Sequence, residues 1–448
     1  MTDVTPDVSR QTAGTMDRIE SQNPALNAFV ALTRDTAMAE AALLDAQAKA
    51  GRPLGGLHGL AIGVKDIIDV GGVVSGCGSL TTRQAPPAEK DAPVVARLRE
   101  AGAVIPGKTH TVEYAFGGYG TNVTVGTPRN PWDMKTHRVP GGSSSGSGVA
   151  VGSGMIPGAL GTDTGGSVRI PAALCGCVGL KTSIGRVGRS CVAPLSQTLD
   201  SVGPLAADVT LAARMFAAMQ GHDDADAATD GVKPVDPFAD LERGIRGLRI
   251  GRIADADMPL ASAEVRADFA AAAKRLGDLG ANIESVGLPD TLESYGAKCG
   301  FIITSEAYTN WRKYAEDPNS GLAPPIRGRM LGGRSINVAD YLDARAAQKQ
   351  AIARFLSGID RLDAIILPTI PCPAIPVAEV DEGIALMAAH TRWVNYLDMC
   401  ALSIPTAISA GGLPMALQIV VRKFDDALAL RIGRAFEIAR GAFAKPAI

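Results

Sequence analysis

Three residues stand in settings suited to nucleophilic chemistry without a histidine. Two Gly-Gly-Ser turns, Gly141-Gly142-Ser143 and Gly165-Gly166-Ser167, place serines 24 residues apart. Paired glycines allow a tight turn, and a serine following them can share one cavity with several backbone N–H groups. One such hydroxyl can attack while the other moves its proton. Thr164, Gly165, Gly166 and Ser167 can present successive N–H groups to an oxyanion. The proton acceptor is sought in Lys65, flanked by Ile62, Val64, Ile67 and Ile68. A lysine buried among such residues loses hydration and with it part of its basicity. Being half neutral at pH 7 means a fall from about 10.4, worth about 4.6 kcal/mol, within the range known for buried lysines. A neutral Lys65 can then take a proton from a serine.

Other residues near these three have plainer roles. Asp163 and Arg169 flank the second turn and are expected to pair with each other or cap the loop. Ser143, Ser144 or Ser145 can cap the helix that begins near Gly146. The five histidines, at 58, 110, 137, 222 and 390, include none in a G-x-S-x-G elbow. His110 is a pocket candidate and equally a structural histidine. Gly102 to Thr109 fits the phosphate-loop expression G-x-x-x-x-G-K-[ST], but Ala103-Val104-Ile105 reads as a strand and Pro106 lacks an N–H the cradle needs. A nucleotide site is not expected, and no cluster has metal-ligand spacing.

The elements that must hold these residues alternate between helical and apolar extended runs. A strand over 60–65 delivers Lys65 at its end. Between the serines, the Ala/Gly/Val-rich run 146–154 and the apolar stretch into Asp163 give a helix and a strand that can fold back. Further helices are expected over 11–21 (stopped by Asn23-Pro24), 33–50, 92–101, 208–220, 263–279, 305–316, 338–356 and 425–440. Further strands are expected over 29–32, 103–105, 248–253, 281–286, 364–367 and 413–421. Residues 180–204 read as a loop, 1–10 as frayed, and 222–247 as a polar link between sub-blocks. The pattern is that of an α/β/α sandwich in a single domain over 1–448.

The motifs GGSS, DTGGSVRIPA and CGCVGLK, in this order, with Gly63-Val64-Lys65-Asp66 upstream, resemble the amidase signature family, the Ser-Ser-Lys hydrolases. Ser196, Asp200 and Gly203-Pro204 resemble its S-x-D-x-x-G-P segment. The resemblance covers nearly the whole chain. It implies a mixed central β-sheet, Ser167 as nucleophile, Ser143 at a cis peptide as the bridging serine and Lys65 as base. The implied reaction is hydrolysis of a carboxylic amide through an acyl-enzyme. A glutaminase-like subunit of a tRNA-dependent amidotransferase is the alternative, and a silent scaffold or nucleotide binder the third reading. Ser145 stands where glycine is common, His110 where Asn is usual, and Lys181-Thr182-Ser183 replaces Lys-Pro-Thr. The pocket is expected along Tyr114 to Thr121 with Tyr119, at Gly142 and Arg169, at Tyr308 and Trp311, and after Pro368 and Thr391.

Composition narrows the partners. A net charge of −2 offers no broad basic surface for nucleic acid. Seven cysteines without a C-x-x-C fit a reducing cytoplasm. The start of the chain has no basic and apolar pattern of a signal peptide, and the apolar run 149–160 is broken by Gly and Pro157 and too short for a bilayer. The expected partner is a small-molecule amide, with no cofactor, no metal and no membrane. A homodimer is compatible with these features.

Overall fold

The computed structural model describes residues 7–82 and 84–448, and its spine is one sheet with strand order β1-β3-β2-β4-β6-β5-β10-β11-β9-β7-β8. In chain order, the first half runs α1 (Val8–Leu26), β1 (Phe29–Leu32), α2 (Arg34–Lys49), β2 (Ile62–Lys65), α3 (Pro93–Glu100), β3 (Gly107–Thr109), α4 (Ser145–Gly152), β4 (Gly158–Asp163), α5 (Arg169–Cys175), β5 (Val178–Lys181), β6 (Ser201–Ala206) and α6 (Val209–Met219). The second half runs β7 (Arg249–Ile253), α7 (Ala263–Asp278), β8 (Asn282–Val286), α8 (Leu292–Glu316), α9 (Pro324–Leu331), α10 (Val338–Gly358), β9 (Ala364–Pro368), α11 (Arg392–Tyr396), β10 (Cys400–Ile408), β11 (Pro414–Val421) and α12 (Asp426–Arg440).

The sheet is mixed. β2 runs parallel to β3 and β4, and β7 parallel to β8 and β9; the β4-β6-β5-β10-β11-β9 centre is antiparallel throughout. β2, β4, β6 and β11 are buried at every position, so both faces of the sheet are covered. Alternating side chains on each strand feed cores above and below it.

Two helices are longer than their local signals suggest. α1 passes through Pro24 and ends at Asn27, which adopts φ 51° and returns its N–H to Asn23. A proline one turn from a helix end removes a single ladder bond, so it does not stop this helix. α1 also includes Val8–Arg10, which read as frayed, while residues 1–6 lie outside the described residues. α8 begins at Leu292, where Thr291 accepts from the Ser294 N–H, well before the expected 305.

The strand expected at 103–105 forms only an isolated bridge between Ala61 and Val104; the ladder forms instead at β3. Gly107 permits it, because a Cβ there would stand 2.1 Å from the Ala31 carbonyl oxygen of β1. The phosphate-loop lookalike ends in that strand, and its Lys108 is buried with Nζ 2.9 Å from Ser75 Oγ and 3.4 Å from Asp66. The stretch read as a loop over 180–204 contains the start of β6, which is fully buried between β4 and β5. Segment 222–247 is fastened to the preceding loop by the Arg189–Asp226 ion pair at 2.8 Å and by Ser190 on Asp223. Among the described residues no helix is long and apolar enough to cross a membrane.

Candidate active site

β2 ends in Lys65, whose side chain is entirely buried. Its Nζ lies 2.7 Å from Ser143 Oγ and 2.8 Å from Thr162 Oγ1. Thr162 comes from β4, the parallel neighbour of β2, so sheet pairing alone brings these two side chains together. Ser143 follows the cis Gly142–Ser143 peptide and immediately precedes α4, whose N-cap is Ser144. α4 lies close against α5: a Cβ on Gly152 would stand 2.3 Å from the Cys175 carbonyl oxygen. The Ser144 N–H donates to the Ser167 carbonyl oxygen at 3.3 Å, which ties the two serine turns to each other.

Ser167 sits between β4 and α5 and is 8% exposed. The turn is held from below by Asp163. Its carboxylate accepts the Gly166 N–H at 2.8 Å, the Val168 N–H at 3.2 Å, Arg169 through Nε and Nη2, and Asn395. Burial pushes Asp163 up, but the Arg169 charge and hydrogen bonds, Lys181 and Asn395 together hold it below the usual carboxylate range. Arg169 is sealed in the interior, with further bonds to Gln418, Asn395 and the Thr391 carbonyl. From above, Thr391 Oγ1 donates to the Gly165 carbonyl at 2.7 Å. Gly166 has φ 128°, and a Cβ there would stand 2.2 Å from Thr391 Oγ1. Only glycine fits that position.

This anchoring corrects part of the expected donor set. The Gly166 N–H is spent on Asp163, so Thr164, Gly165 and Ser167 remain as backbone donors at the turn. Thr164 is itself positioned by its hydroxyl on Asp200, whose other oxygen accepts the Leu195 and Ser196 N–H groups at 2.9 Å each.

Lys65 is pushed down to about 7, by burial first and against the opposing charges of Asp200 and Asp163. Asp200 is pushed up to about 6 by burial, which outweighs its hydrogen bonds and Arg189. Lys65 and Asp200 thus both titrate near neutrality beside the same strand, β4.

Ser167 opens onto a cavity of about 320 Å³. Its walls include Phe116 to Tyr119, Thr164, Gly165, Ile303, Arg329, Glu382 to Ala385 and Arg392. Tyr119 lines it as expected, with its hydroxyl donating to Ile384. Tyr114, Gly120 and Thr121, at the ends of the anticipated stretch, fall outside the cavity walls, and four more anticipated residues lie elsewhere. Gly142 is buried beneath, its N–H on the Gly118 carbonyl, and Arg169 is the sealed partner of Asp163. Tyr308 faces Glu316 and a separate hollow by Gly333. Trp311 donates to the Pro194 carbonyl and packs on Tyr114 with ring centroids 4.3 Å apart. It is Ile303 and Thr304, earlier on α8, that reach the cavity. His110 is fully buried, pushed down to about 4 by desolvation, and stands 3.4 Å from Ser145 Oγ, outside the cavity wall.

Sequence reasoning missed Thr162, Asn395, Gln418 and the Arg329–Glu382 ion pair across the pocket. Asn395 and Gln418 lie more than 200 residues from Asp163 along the chain and carry no local pattern. Among the described residues no group of His, Cys, Asp and Glu could hold a metal ion.

Residues 10–430 match the family model described as Amidase. The chain belongs to the Amidase family. It is an enzyme acting on amide C–N bonds. Among named relatives, a glutamyl-tRNA(Gln) amidotransferase subunit from Synechococcus sp. (strain CC9605) is 36% identical, over 96% of this chain and 92% of that protein. A solved chain from a vestigial protein complex bearing on the origins of an s-triazine catabolic enzyme superimposes with a TM-score of 0.92 at 31% identity, covering 99% of this chain and 97% of that one. The peptide amidase of Stenotrophomonas maltophilia superimposes with a TM-score of 0.87 at 30% identity, covering 99% and 95%.

Proposed function

We propose that this member of the Amidase family hydrolyses a small carboxylic amide through an ester on Ser167, with Ser143 as proton relay and Lys65 as base. The observation that carries the proposal is Lys65 Nζ, fully buried and 2.7 Å from Ser143 Oγ, where burial pushes its pKa down to about 7. Ser167 Oγ attacks the amide carbon as its proton passes to Ser143 Oγ and the Ser143 proton passes to Lys65. The oxyanion is met by backbone N–H groups from Thr164, Gly165 and Ser167. The C–N bond then breaks, and the proton returns from Lys65 through Ser143 to the leaving nitrogen. Water, deprotonated by the same relay, cleaves the ester to the acid and restores Ser167.

The test intercepts the ester. Hydroxylamine should divert product from acid to hydroxamate, and a sulfonyl fluoride should add mass to the peptide carrying Ser167, with both lost in Ser167→Ala. A label falling reproducibly on Cys175 or Cys177, or wild-type turnover by Ser167→Ala, refutes the assignment.

A second reading is supported by the relatives named as glutamyl-tRNA(Gln) amidotransferase subunits, at 36% and 35% identity. On it, Ser167 releases ammonia from glutamine for a second chain. Copurification of such a chain, with glutaminase activity dependent on it, favours this reading. A freestanding hydrolase that sizes as a monomer or homodimer and turns over small amides alone favours the first. Seven free cysteines support a cytoplasmic site for either.

A further inference from the structure

The charges around the cavity do not balance. Arg329 is paired with Glu382 and donates to the Phe116 carbonyl, and Glu382 also accepts from the Thr121 hydroxyl. Arg169 is matched by Asp163 beneath the turn. Arg392 has no such match. At the start of α11, it lines the cavity, yet among the described residues its guanidinium has neither a hydrogen-bond acceptor nor a carboxylate partner. Its nearest influences are burial, which lowers its pKa, the neutral thiol of Cys299, and the like charge of Arg329.

Two glycines lie alongside it. A Cβ on Gly165 would stand 3.3 Å from Arg392 Cγ, and a Cβ on Gly300 would stand 3.5 Å from Arg392 Nη1. The side chain therefore runs across the backbone of the serine turn, two residues before Ser167, and its head lies against α8. A guanidinium keeps its charge at any ordinary pH, and an unpaired one in a confined space costs solvation. Its planar fork matches a carboxylate through two parallel hydrogen bonds. About 320 Å³ is near the lower end for ligand sites and holds on the order of ten water-sized groups. An amide and a carboxylate joined by a short carbon spacer fit that space.

We propose that Arg392 is the specificity-determining residue of this site and that the substrates are small amides bearing a carboxylate, held by Arg392 with the amide carbon at Ser167. This rests on the reading of Ser167 as the nucleophile. The carboxylate supplies the missing negative charge, and the Arg392 fork sets how far along the spacer the reacting carbon falls.

The experiment pairs each charged amide with a neutral partner of equal length. The monoamides of malonate, succinate and glutarate are compared with propionamide, butyramide and valeramide. For at least one spacer, kcat/KM of the wild-type enzyme should favour the carboxylated member by about 10- to 100-fold, the range of a hydrogen bond to a charged group. In Arg392→Gln the preference should fall toward unity, mainly through KM, and Arg392→Lys should restore part of it. Binding is read separately. Succinate and glutarate titrated calorimetrically should bind the wild type and lose about tenfold or more in affinity with Arg392→Gln.

If dicarboxylates bind in an Arg392-dependent way while no amide is hydrolysed, the catalytic reading falls and the anion site stands. If amides are hydrolysed but charged and neutral partners react equally in the wild type, the anion site is overturned whether or not any variant folds. Dicarboxylate binding that survives Arg392→Gln overturns it as well, as does a wild type that binds none.

Discussion

If Lys65 must be neutral to accept a proton, pH is the sharpest perturbation of the site. Its pKa falls from 10.5 to about 7, largely through burial. That fall corresponds to about 5 kcal/mol of lost preference for the charged form. The neutral fraction is then about one-tenth at pH 6, one-half at pH 7 and nine-tenths at pH 8. We therefore expect kcat/KM to rise about tenfold from pH 6 to pH 8 and to level off above that. An ordinary lysine would give a rise of about 100-fold over the same interval, with no plateau below pH 10. Stability carries the same signature. Because the folded pKa is below the unfolded one, the unfolded chain binds the extra proton between pH 7 and 10.5. Stability should climb with pH through that window, by up to about 1.4 kcal/mol per pH unit from this group, and Lys65→Met should lack the increment. The assay is direct ammonia release in constant-ionic-strength buffers, with viscosity controls to show that chemistry limits the rate. A flat profile from pH 6 to 9 refutes a neutral Lys65 as base, and a rate still rising tenfold per pH unit at pH 9 refutes the lowered pKa of Lys65.

Three further outcomes follow from the same contacts. Asp200→Asn removes a charge that supports the Lys65 ammonium but keeps an acceptor for Thr164; the rising limb of kcat/KM should move to lower pH, and a move to higher pH contradicts the assignment. Ser143→Ala should lower kcat by about 10²–10⁴-fold with little change in melting temperature, because Lys65 retains Thr162; wild-type kcat in a folded sample removes Ser143 from the relay. Asp163→Asn strips the counter-charge from the buried Arg169 and should cost about 3–5 kcal/mol in urea unfolding; a loss below about 1 kcal/mol would show that Asn395, Gln418 and Thr391 suffice to hold Arg169.

Local signals served well wherever the residues being read also set the structure. β2, α7 and α12 follow from unbroken apolar or helical periodicity with clear stops, and β7 from the interleaved apolar residues Leu248, Ile250 and Ile253 after Gly247. They failed where distant packing decides. β6 carries Gly203-Pro204, a pair that reads as a turn, yet it is held between β4 and β5 on both sides. β10 carries Ser403 and Pro405 in an otherwise apolar run, and its placement beside β5 and β11 is what makes it a strand. The shift of β3 past Pro106 depends on β1 arriving across from Gly107, an event nearly 80 residues away in the chain.

The site divides along the same line. Lys65 and the two serines were legible because each is embedded in a local pattern of glycines or apolar neighbours that restricts what its backbone can do. Thr162 was not, although it sits as close to Lys65 as Ser143 does, because a threonine in an apolar strand gives no hint of which neighbour the sheet will supply. The Gly166 N–H shows the reverse error. The run Thr164 to Ser167 suggests a row of converging donors, and the sequence also contains Asp163, the acceptor that removes one of them. Which N–H groups remain free depends on where that carboxylate is aimed. Its aim is set by Arg169, Asn395 and, through Arg169, Gln418, three side chains contributed by α5, α11 and β11. The candidate donors at the serine turn are therefore written locally, while the contacts that decide which of them are free are written by the far end of the chain. Arg392 belongs to that second part: it lies alongside Gly165 and Gly300, 135 residues apart in the chain and brought together only by the fold.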